Sequence, residues 1–416
     1  MSSLCSVEKT AAAAKKAFNA NLGLLTSQKD KALREMAKEI KRKAAAIKKA
    51  NKLDLEAGRK NNLSTAMLDR LQLDDKRINK LADSALAVTA LPDPVGETAY
   101  STRRPNGLEI RQERVPIGLI AVIFESRPNV VIDIAALTVK SGNAAILRGG
   151  KEAIHTNIVL GEIVSSALSA AGLDPALIQV IDKTDRSLVK KILTLDQYID
   201  IVVPRGGHSL IKFVTENSTI PVIKHDKGNC HTFVDQNCTL ETAVKVCVNA
   251  KVQRPGVCNA METLLVHKDF PHTEKLLAAL QEQNVELHGD GAIQQLAAGI
   301  IPATAADWET EYLDLILAVK TVADVGDAVL WINKYGSGHS EAILTNDYNN
   351  ACYFREKVDA AGIFINASTR FADGNRYGLG AEVGISTQKL HVRGPMGLKD
   401  LTCLKYIVAG KGHIVN

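Results

Sequence analysis

Short apolar runs alternate with helix-period segments through most of the chain after residue 115. The run "GLIAVIFES" is rich in β-branched residues, the following "NVVIDIAALTVKSG" repeats its apolar residues at helical spacing, and "NAAILRGG" is again an apolar run. This order of strand, helix and strand is the βαβ unit that builds a parallel sheet. Its repetition to about residue 225 predicts a doubly wound α/β domain.

A second series of strands and helices starts near His231. "HTFVD" has the pattern of a strand, "LETAVKVCVNAKV" that of a helix and "ETLLVH" that of a strand, and the alternation continues to about residue 365. The predicted fold class is therefore α/β, with two doubly wound domains.

The first hundred residues have a helical pattern instead. In the lysine-rich segment 29–52, Leu33, Met36, Ile40 and Ala44 recur at helical spacing, so we expect an amphipathic helix whose lysines face solvent. The segment lacks the aromatic residues and docking motifs of a nucleic-acid site, and no nucleic-acid partner is predicted.

Two further segments have a β pattern and lie outside the two predicted sheets. The turn signal Asn106-Gly107 lies in an arm at residues 102–115, and "LTCLKYIVAG" near the C-terminus alternates apolar residues such as Leu404 and Tyr406 with others. A two-stranded arm has unpaired edges, so we expect it to extend a sheet of a second subunit. The alternative is that both strands pack on their own chain.

Composition narrows the class of protein. The 416 residues are 46% apolar and 23% charged with a net charge of +5, as in soluble globular proteins. No run approaches the roughly 20 apolar residues of a membrane span, and the N-terminus lacks the apolar core of a secretory signal. The seven cysteines are scattered and never form a C-x-x-C pair, which indicates reduced thiols. We expect a cytoplasmic protein with no membrane partner and no metal.

Two glycine pairs follow predicted strands, in "LRGGKE" at 147–152 and "PRGGHS" at 204–209, although no G-x-G-x-x-G is present. Glycines let a phosphate approach the backbone, and a following helix N-terminus favours its charge. Both turns lie where open parallel sheets bind ligands, which favours a nucleotide. The alternative is a pair of tight turns with solvent-facing arginines.

One cysteine stands just outside an apolar run, in "VQRPGVCNAMETLLVH". Cys258 follows a Pro-Gly turn and precedes the predicted strand, whereas a thiol needed only for packing usually lies within the run. This position favours a reactive thiol in a ligand cleft. The alternative is an inert buried thiol, which is the better interpretation for Cys247 on an apolar helix face.

Five blocks carry a family resemblance that covers nearly the whole chain: "IGLIAVIFESRPNV", "LRGGKEA", "PRGGHSLIK", "QRPGVCNAMETLLVH" and "NASTRFADGNRYGLGAEVGISTQKLHVRGPMGL". The sequence resembles the gamma-glutamyl phosphate reductase family, a branch of the aldehyde dehydrogenase superfamily. The resemblance implies NADPH-dependent reduction of L-glutamate 5-phosphate to L-glutamate 5-semialdehyde and phosphate through a cysteine thioester, the second step of proline biosynthesis. It also implies an NADP-binding domain at 1–230 that includes the arm, a catalytic domain at 231–365, and a return to the cofactor domain with an oligomerisation strand at 366–416.

The resemblance implies catalytic roles for two residues. It makes Cys258 the nucleophile, since a thiolate displaces phosphate from an acyl phosphate and leaves a thioester that still accepts hydride. It places Asn129 in the oxyanion hole. The alternative for Asn129 is a cap of the helix that follows.

It also implies a cofactor site. Arg148 resembles the basic residue at the adenosine ribose, and Lys151 stands where NAD-using relatives often carry an acid, so its charge favours the 2′-phosphate of NADPH. Glu382 resembles the glutamate that holds the nicotinamide ribose, and Gly206 and Gly207 form the second turn. The alternatives are a solvated loop charge for Lys151 and a surface or helix-cap acid for Glu382.

The implied substrate has two anionic ends, so arginines with hydroxyl groups beside them are expected around it. A weaker candidate, Arg254, lies beside the cysteine loop. The main candidates are Ser126, Arg127, Ser368, Thr369 and Arg370.

One departure from the superfamily bears on the direction of the reaction. In "KHDKGNC", the residues Lys224, His225 and Asp226 stand where aldehyde-oxidising relatives carry a glutamate base that activates water. A reductase that releases phosphate does not need this base. The rival functions are a thiol-dependent aldehyde dehydrogenase that oxidises a semialdehyde and a non-catalytic nucleotide-binding protein. A small-molecule substrate and a homo-oligomer, dimer or tetramer, are expected, and a transient contact with glutamate 5-kinase is left open.

Overall fold

The chain divides into two compact units. A computed structural model describes residues 3–224 and 227–415. The first unit comprises Met1–Lys224, Gly378–Gly384 and Met396–Asn416, and the second comprises His225–Tyr377 and Ile385–Pro395. The second unit is therefore inserted in the sequence of the first. No helix in the described ranges is long and apolar enough to cross a membrane.

Five helices begin the first unit. Leu33, Met36 and Ile40 are fully buried, as their helical spacing predicts. The expectation that the lysines face solvent is wrong for Lys29, which is buried with its Nζ 2.9 Å from an oxygen of Asp93. An interior position is tolerable because the charge is paired. The helices are α1 (Ser3–Ala20), α2 (Thr26–Arg42), α3 (Ala44–Lys60), α4 (Thr65–Leu71) and α5 (Asp75–Thr89).

The arm follows as two antiparallel strands, β1 (Thr98–Arg103) and β2 (Glu109–Pro116). The predicted turn at Asn106-Gly107 joins them, and Gly107 has a φ of 89°, which a residue without a Cβ adopts freely. The arm begins at Thr98, four residues earlier than expected.

A four-stranded parallel sheet forms the centre of the first unit, in the order β5-β4-β3-β6. The chain moves outward from β3 to β5 and then crosses to β6 on the other side. The carboxyl ends of β3 and β6 therefore flank a switch point, where sheets of this kind bind ligands. The strands are β3 (Leu119–Phe124), β4 (Ala144–Gly149), β5 (Ile178–Val180) and β6 (Ile201–Arg205), and the helices are α6 (Val130–Lys140), α7 (Ile154–Ala171), α8 (Arg186–Ile192) and α9 (His208–Asn217).

The second unit contains a seven-stranded parallel sheet in the order β10-β9-β11-β8-β7-β12-β13. Its strands are β7 (Cys230–Val234), β8 (Met261–His267), β9 (Glu286–Gly289), β10 (Ile301–Pro302), β11 (Ile316–Val322), β12 (Ser340–Leu344) and β13 (Gly362–Ile365). Its helices are α10 (Leu240–Val252), α11 (Thr273–Gln281), α12 (Gly291–Gln294), α13 (Val325–Tyr335) and α14 (Tyr348–Lys357). The cysteine loop joins α10 to β8 and so lies at the amino end of β8.

The C-terminal segment completes the arm. After the short strands β14 (Gly384–Ser386) and β15 (Gly394–Met396), strand β16 (Thr402–Ala409) pairs antiparallel with the whole of β2. The resulting three-stranded sheet has β1 and β16 at its edges. The arm and the C-terminal strand therefore pair with each other within one chain. This is the alternative stated above, that both strands pack on their own chain.

The unit boundaries differ from the predicted ones. The first unit gives way to the second at residue 225 rather than 231, and residues 366–377 and 385–395, expected in the cofactor domain, belong to the second unit. The Thr369 hydroxyl donates to the backbone oxygen of Asn259 beside the cysteine, which ties this stretch to the second unit. Such a long-range hydrogen bond leaves no periodic pattern in the sequence.

Candidate active site

The backbone of Cys258 lies directly against Gly228. A Cβ at position 228 would overlap the Cα, C and O atoms of Cys258, so only glycine allows this approach. Cys230 lies on the same side, and its Sγ is 3.2 Å from the Cys258 oxygen. Cys258 itself is half-buried, so its thiol is neither packed in the core nor fully open to solvent.

A buried polar network extends behind Cys230. The Cys230 Sγ lies 3.8 Å from Nδ1 of His339, which precedes β12. On β12, the Glu341 carboxylate accepts a hydrogen bond from the backbone N–H of His231 at 2.7 Å. The ring of His231 is also 3.1 Å from this carboxylate. Burial raises the pKa of Glu341, and the adjacent His231 opposes that shift. The network fixes the amino ends of β7 and β12 beside the loop.

The two ends of the cysteine loop are joined by a buried ion pair. Lys251 lies in the last turn of α10, Glu262 lies on β8, and their side chains meet at 2.6 Å with no exposed surface. Burial raises the pKa of Glu262 to about 7, and Lys251 opposes the shift. Burial likewise lowers the pKa of Lys251. An ion pair here closes the base of the loop, because either charge alone would be costly inside the unit.

The far side of the loop is held by the segment that follows β13. Arg370 donates from Nε to Oε1 of Gln253 at 3.0 Å and from Nη1 to Oδ1 of Asn259. Thr369 donates to the Asn259 oxygen at 2.8 Å, and the Ser368 hydroxyl accepts from the Arg370 N–H. Three predicted substrate residues thus lie beside the cysteine loop, and two of them contact it directly.

Glu311 is a residue that sequence reasoning missed. Its Oε1 accepts from the backbone N–H of Gly228 at 3.0 Å, which places a carboxylate beside the cysteine loop. The neighbouring Asn229 amide donates to the backbone oxygens of Trp308 and Tyr335. Nothing in "DWETEYLD" distinguishes this acid from its neighbours, so the sequence carries no signal for it.

The first unit has a cavity of about 380 Å³ at the carboxyl ends of its strands. Phe124, Leu210 and Phe213 give it apolar walls, and the predicted cofactor residues Arg148 and Lys151 line it. Arg148 is buried, which lowers its guanidinium pKa, and its Nε has no hydrogen-bond partner. A buried donor without a partner suits an anionic or hydroxyl-rich ligand.

Carboxylates contact the backbone donors at this edge. Gly207, the residue before α9, donates its N–H to Glu125 at 3.0 Å, and Ser126 donates both its N–H and its hydroxyl to Glu152. A Cβ at Gly206 would overlap Glu125. The Gly206-Gly207 turn therefore does hold a carboxylate, which in this structure is the chain's own Glu125.

Asn129 lies at the start of α6 in the first unit. Its side chain makes no capping hydrogen bond, and its Nδ2 donates to Oδ2 of Asp133 at 2.9 Å. Burial raises the pKa of Asp133, which also accepts from the Ser84 hydroxyl. The helix-cap interpretation of Asn129 is therefore wrong, and the amide is oriented by a buried acid.

Two further candidates lie in the first unit. Arg127 follows Ser126 in the first unit, and Glu382 lies in its returning segment 378–384. Of the "KHD" positions, Lys224 is the last residue of the first segment of the first unit, while His225 and Asp226 lie outside the described residues.

Three other thiols are unsuited to nucleophilic attack. Burial raises the pKa of Cys238 to about 11 and also raises the pKa values of Cys230 and Cys247. A thiol that stays protonated is a poor nucleophile. The inert-thiol interpretation of Cys247 fits this burial, whereas Cys258 keeps access to solvent.

A family model supplies the decisive comparison. The model described as the aldehyde dehydrogenase family matches residues 2–301. The chain belongs to the aldehyde dehydrogenase family. This membership confirms the predicted fold and the prediction of an enzyme.

Three relatives within this aldehyde dehydrogenase family are named gamma-glutamyl phosphate reductase. The one from Lachnospira eligens is 49% identical over 98% of this chain and 99% of its own. The one from Heliobacterium modesticaldum is 50% identical over 94% of this chain and 95% of its own. The crystal structure of the enzyme from Thermotoga maritima aligns with a TM-score of 0.96 at 42% identity, over 99% of this chain and 100% of that one. The predicted resemblance is thereby confirmed.

Replacing Gly228 with alanine should destabilise the protein, because the added Cβ overlaps the Cys258 backbone. We expect Gly228→Ala to lower the free energy of unfolding by about 1–3 kcal/mol in urea titrations. Gly291 is the first residue of α12, and a Cβ added there has no atom within 4 Å. Gly291→Ala is therefore the matched control. Its unfolding free energy should stay level or rise by up to about 1 kcal/mol. Equal midpoints for both variants would contradict the close approach.

Proposed function

We propose that the chain catalyses the NADPH-dependent reduction of L-glutamate 5-phosphate to L-glutamate 5-semialdehyde and phosphate, the second step of proline biosynthesis from glutamate. The observation that carries the proposal is the half-buried Cys258 on a loop held by a buried ion pair and by Arg370. The chain is also about half identical to proteins named for this reaction. Cys230, Cys238 and Cys247 of the same unit are buried and have raised pKa values, which makes them poor nucleophiles.

In the proposed mechanism, the Cys258 thiolate attacks the acyl carbon of the substrate, the carbon–phosphate oxygen bond breaks, and inorganic phosphate leaves. The thioester that remains on Cys258 then takes up hydride at the acyl carbon. Collapse of the resulting oxyanion releases the aldehyde and restores the thiolate. NADPH supplies the hydride when bound.

Asn129 and the backbone N–H of Cys258 are the proposed donors to the oxyanion. Preorganised donors of this kind are commonly worth about 100- to 1,000-fold in rate. The hydrogen bond from Asn129 to Asp133 supports the role, because it fixes the orientation of the amide. For the substrate we propose Ser126 and Arg127 in the first unit and Ser368 in the second.

The residues around the first-unit cavity fit a nucleotide. Arg148 offers a buried donor without a partner, and Lys151 is an exposed cation on the 3₁₀ turn Lys151–Ala153 at the rim. A cation at this position favours a 2′-phosphate, so we propose NADPH rather than NADH. Gly206 and Gly207 leave room for a phosphate if Glu125 moves away from the Gly207 amide, and Glu382 is proposed for the nicotinamide ribose.

The reverse reaction tests the function. With semialdehyde and NADP⁺, we expect NADPH to form only when phosphate is present, because phosphate must cleave the thioester. Cys258→Ala and Cys258→Ser should abolish this activity and leave NADPH binding nearly unchanged, as measured by fluorescence titration.

Cys247→Ala is the control, with full activity and a packing cost of about 1 kcal/mol. NADPH formation without phosphate would instead indicate an aldehyde dehydrogenase that hydrolyses the thioester. Substantial activity in the Cys258 variants would exclude covalent catalysis at this residue.

Lys151→Glu should shift the cofactor preference from NADPH toward NADH, since an acid repels the 2′-phosphate. The measurement is the ratio of kcat/KM for the two cofactors, and we expect a change of about tenfold or more, in line with a charge contact of 1.5–3 kcal/mol. Lys38→Glu, an exposed position on α2 of the same unit, is the control. An unchanged ratio in Lys151→Glu would remove this residue from the 2′-phosphate site.

We also propose that the protein is a cytoplasmic homo-oligomer, at least a dimer. It makes a transient contact with the kinase that supplies its labile acyl phosphate. The support for the oligomer is the outer edge of the arm sheet, where Leu404, Tyr406 and Val408 on β16 are 44%, 64% and 56% exposed. Such an edge usually pairs or is covered.

Light scattering at micromolar concentration should therefore give at least twice the mass of one chain. A chain truncated after Pro395 loses β16 and should become monomeric or aggregate. A full-length mass near 44.8 kDa, that of a single chain, would rule the oligomer out.

A further inference from the structure

The cysteine loop has no regular structure of its own to hold it in place. It runs from Gln253 to Ala260 between α10 and β8, and Cys258 sits near its end. A nucleophile must be held within a fraction of an ångström of its productive position, and a misplacement of about 1 Å commonly costs about 100-fold in rate. The side chains that span this loop are therefore candidates for a role in catalysis without touching the substrate.

Arg370 is the side chain that spans it. Its Nε donates to Oε1 of Gln253 at 3.0 Å, and its Nη1 donates to Oδ1 of Asn259. One partner precedes Cys258 in the loop and the other follows it directly. The planar guanidinium fixes the separation of these two points, which a lysine cannot do.

Two further polar atoms of Asn259 are held by the same segment. Its Nδ2 donates to the oxygen of Ala372 at 2.8 Å, and its backbone oxygen accepts from the Thr369 hydroxyl at 2.8 Å. Asn259 is 4% exposed, so these hydrogen bonds are shielded from water. The residue next to Cys258 is therefore immobilised by the stretch 369–372.

Charge supports the same arrangement. Arg370 is only 9% exposed, and burial lowers its pKa, with repulsion from Arg376 and Arg254 acting in the same direction. Negative charge on Cys258 acts in the opposite direction. An arginine side chain stays protonated in proteins. Arg370 therefore keeps a positive charge beside the loop, although burial and the neighbouring arginines disfavour it, and this charge attracts a thiolate.

We propose that Arg370 is a positioning residue that fixes the backbone on both sides of Cys258 through Gln253 and Asn259, and that substrate binding is not its main role. The inference rests on the proposed function in taking Cys258 as the nucleophile. It reassigns a residue that its charge alone would make a substrate ligand.

The test uses the full-length protein in the phosphate-dependent reverse assay, with kcat and the KM for semialdehyde measured separately. Arg370→Gln should lower kcat by about 10- to 100-fold while KM stays within about threefold. Arg370→Lys should recover part of the loss, because an ammonium reaches one partner at a time. Gln253→Ala, at an exposed position, removes one of the two contacts and should lower kcat by about threefold.

Arg376→Gln is the matched control. This arginine is exposed, contributes charge to the same neighbourhood and makes no hydrogen bond to the loop, so its kcat should match that of the unmodified chain. NADPH binding and the melting temperature of each variant are measured alongside, so that a loss of kcat in a folded, cofactor-binding protein can be identified.

A double-mutant cycle with Asn259 decides between the two roles. If Arg370 acts through Asn259, then Arg370→Gln should cost little further rate in an Asn259→Ala background. Fully additive losses, a raised KM with unchanged kcat, or unchanged kcat in both Arg370→Gln and Gln253→Ala would overturn the proposal. Failure of the proposed function would appear differently, as activity retained by Cys258→Ser.

Discussion

The absence of a side chain at Gly228 is the constraint on which the cysteine loop depends. The backbone of Cys258 occupies the space where a Cβ would stand, so the two segments touch along their main chains. Contact at this distance leaves neither segment room to shift toward the other, so each must be held in position by its own hydrogen bonds. The Gly228 N–H is held by Glu311, and the following Asn229 is held by two backbone oxygens. The segment that leads into β7 is therefore held rigidly beside Cys258.

This segment and the cysteine loop are flanked by titratable side chains that the unit buries in pairs. Lys251 and Glu262 close the base of the loop, and His231 and Glu341 join the amino ends of β7 and β12. A buried pair gives little net stability, but removal of one partner leaves an unpaired charge that is strongly destabilising. Lys251 and Glu262 lie on the elements that flank the loop, so their pair fixes the separation of its two ends.

The sequence predicts the elements well because their signals are local and periodic. The alternation of apolar runs and helical segments predicts both parallel sheets, and the position of Cys258 outside an apolar run is the local signal for the proposed nucleophile. The contacts that hold the site are long-range and leave no such pattern: Arg370 and Asn259 are 111 residues apart, and Gly228 and Glu311 are 83 apart. Charge alone makes Arg370 resemble a substrate ligand and Lys29 resemble a surface residue, because the sequence does not reveal which buried partner each one has.

Insertion of the second unit into the first has a consequence for synthesis on the ribosome. The Asn143 amide donates to the oxygen of Leu401, 258 residues further along, and β2 finds its partner β16 only at the end of the chain. At roughly 5–20 residues per second, translation of the inserted unit takes on the order of ten to thirty seconds. Throughout that time the nascent first unit carries β2 as an open strand edge, a template for pairing with neighbouring chains. The arm sheet is therefore completed only after its last strand, β16, has been synthesised.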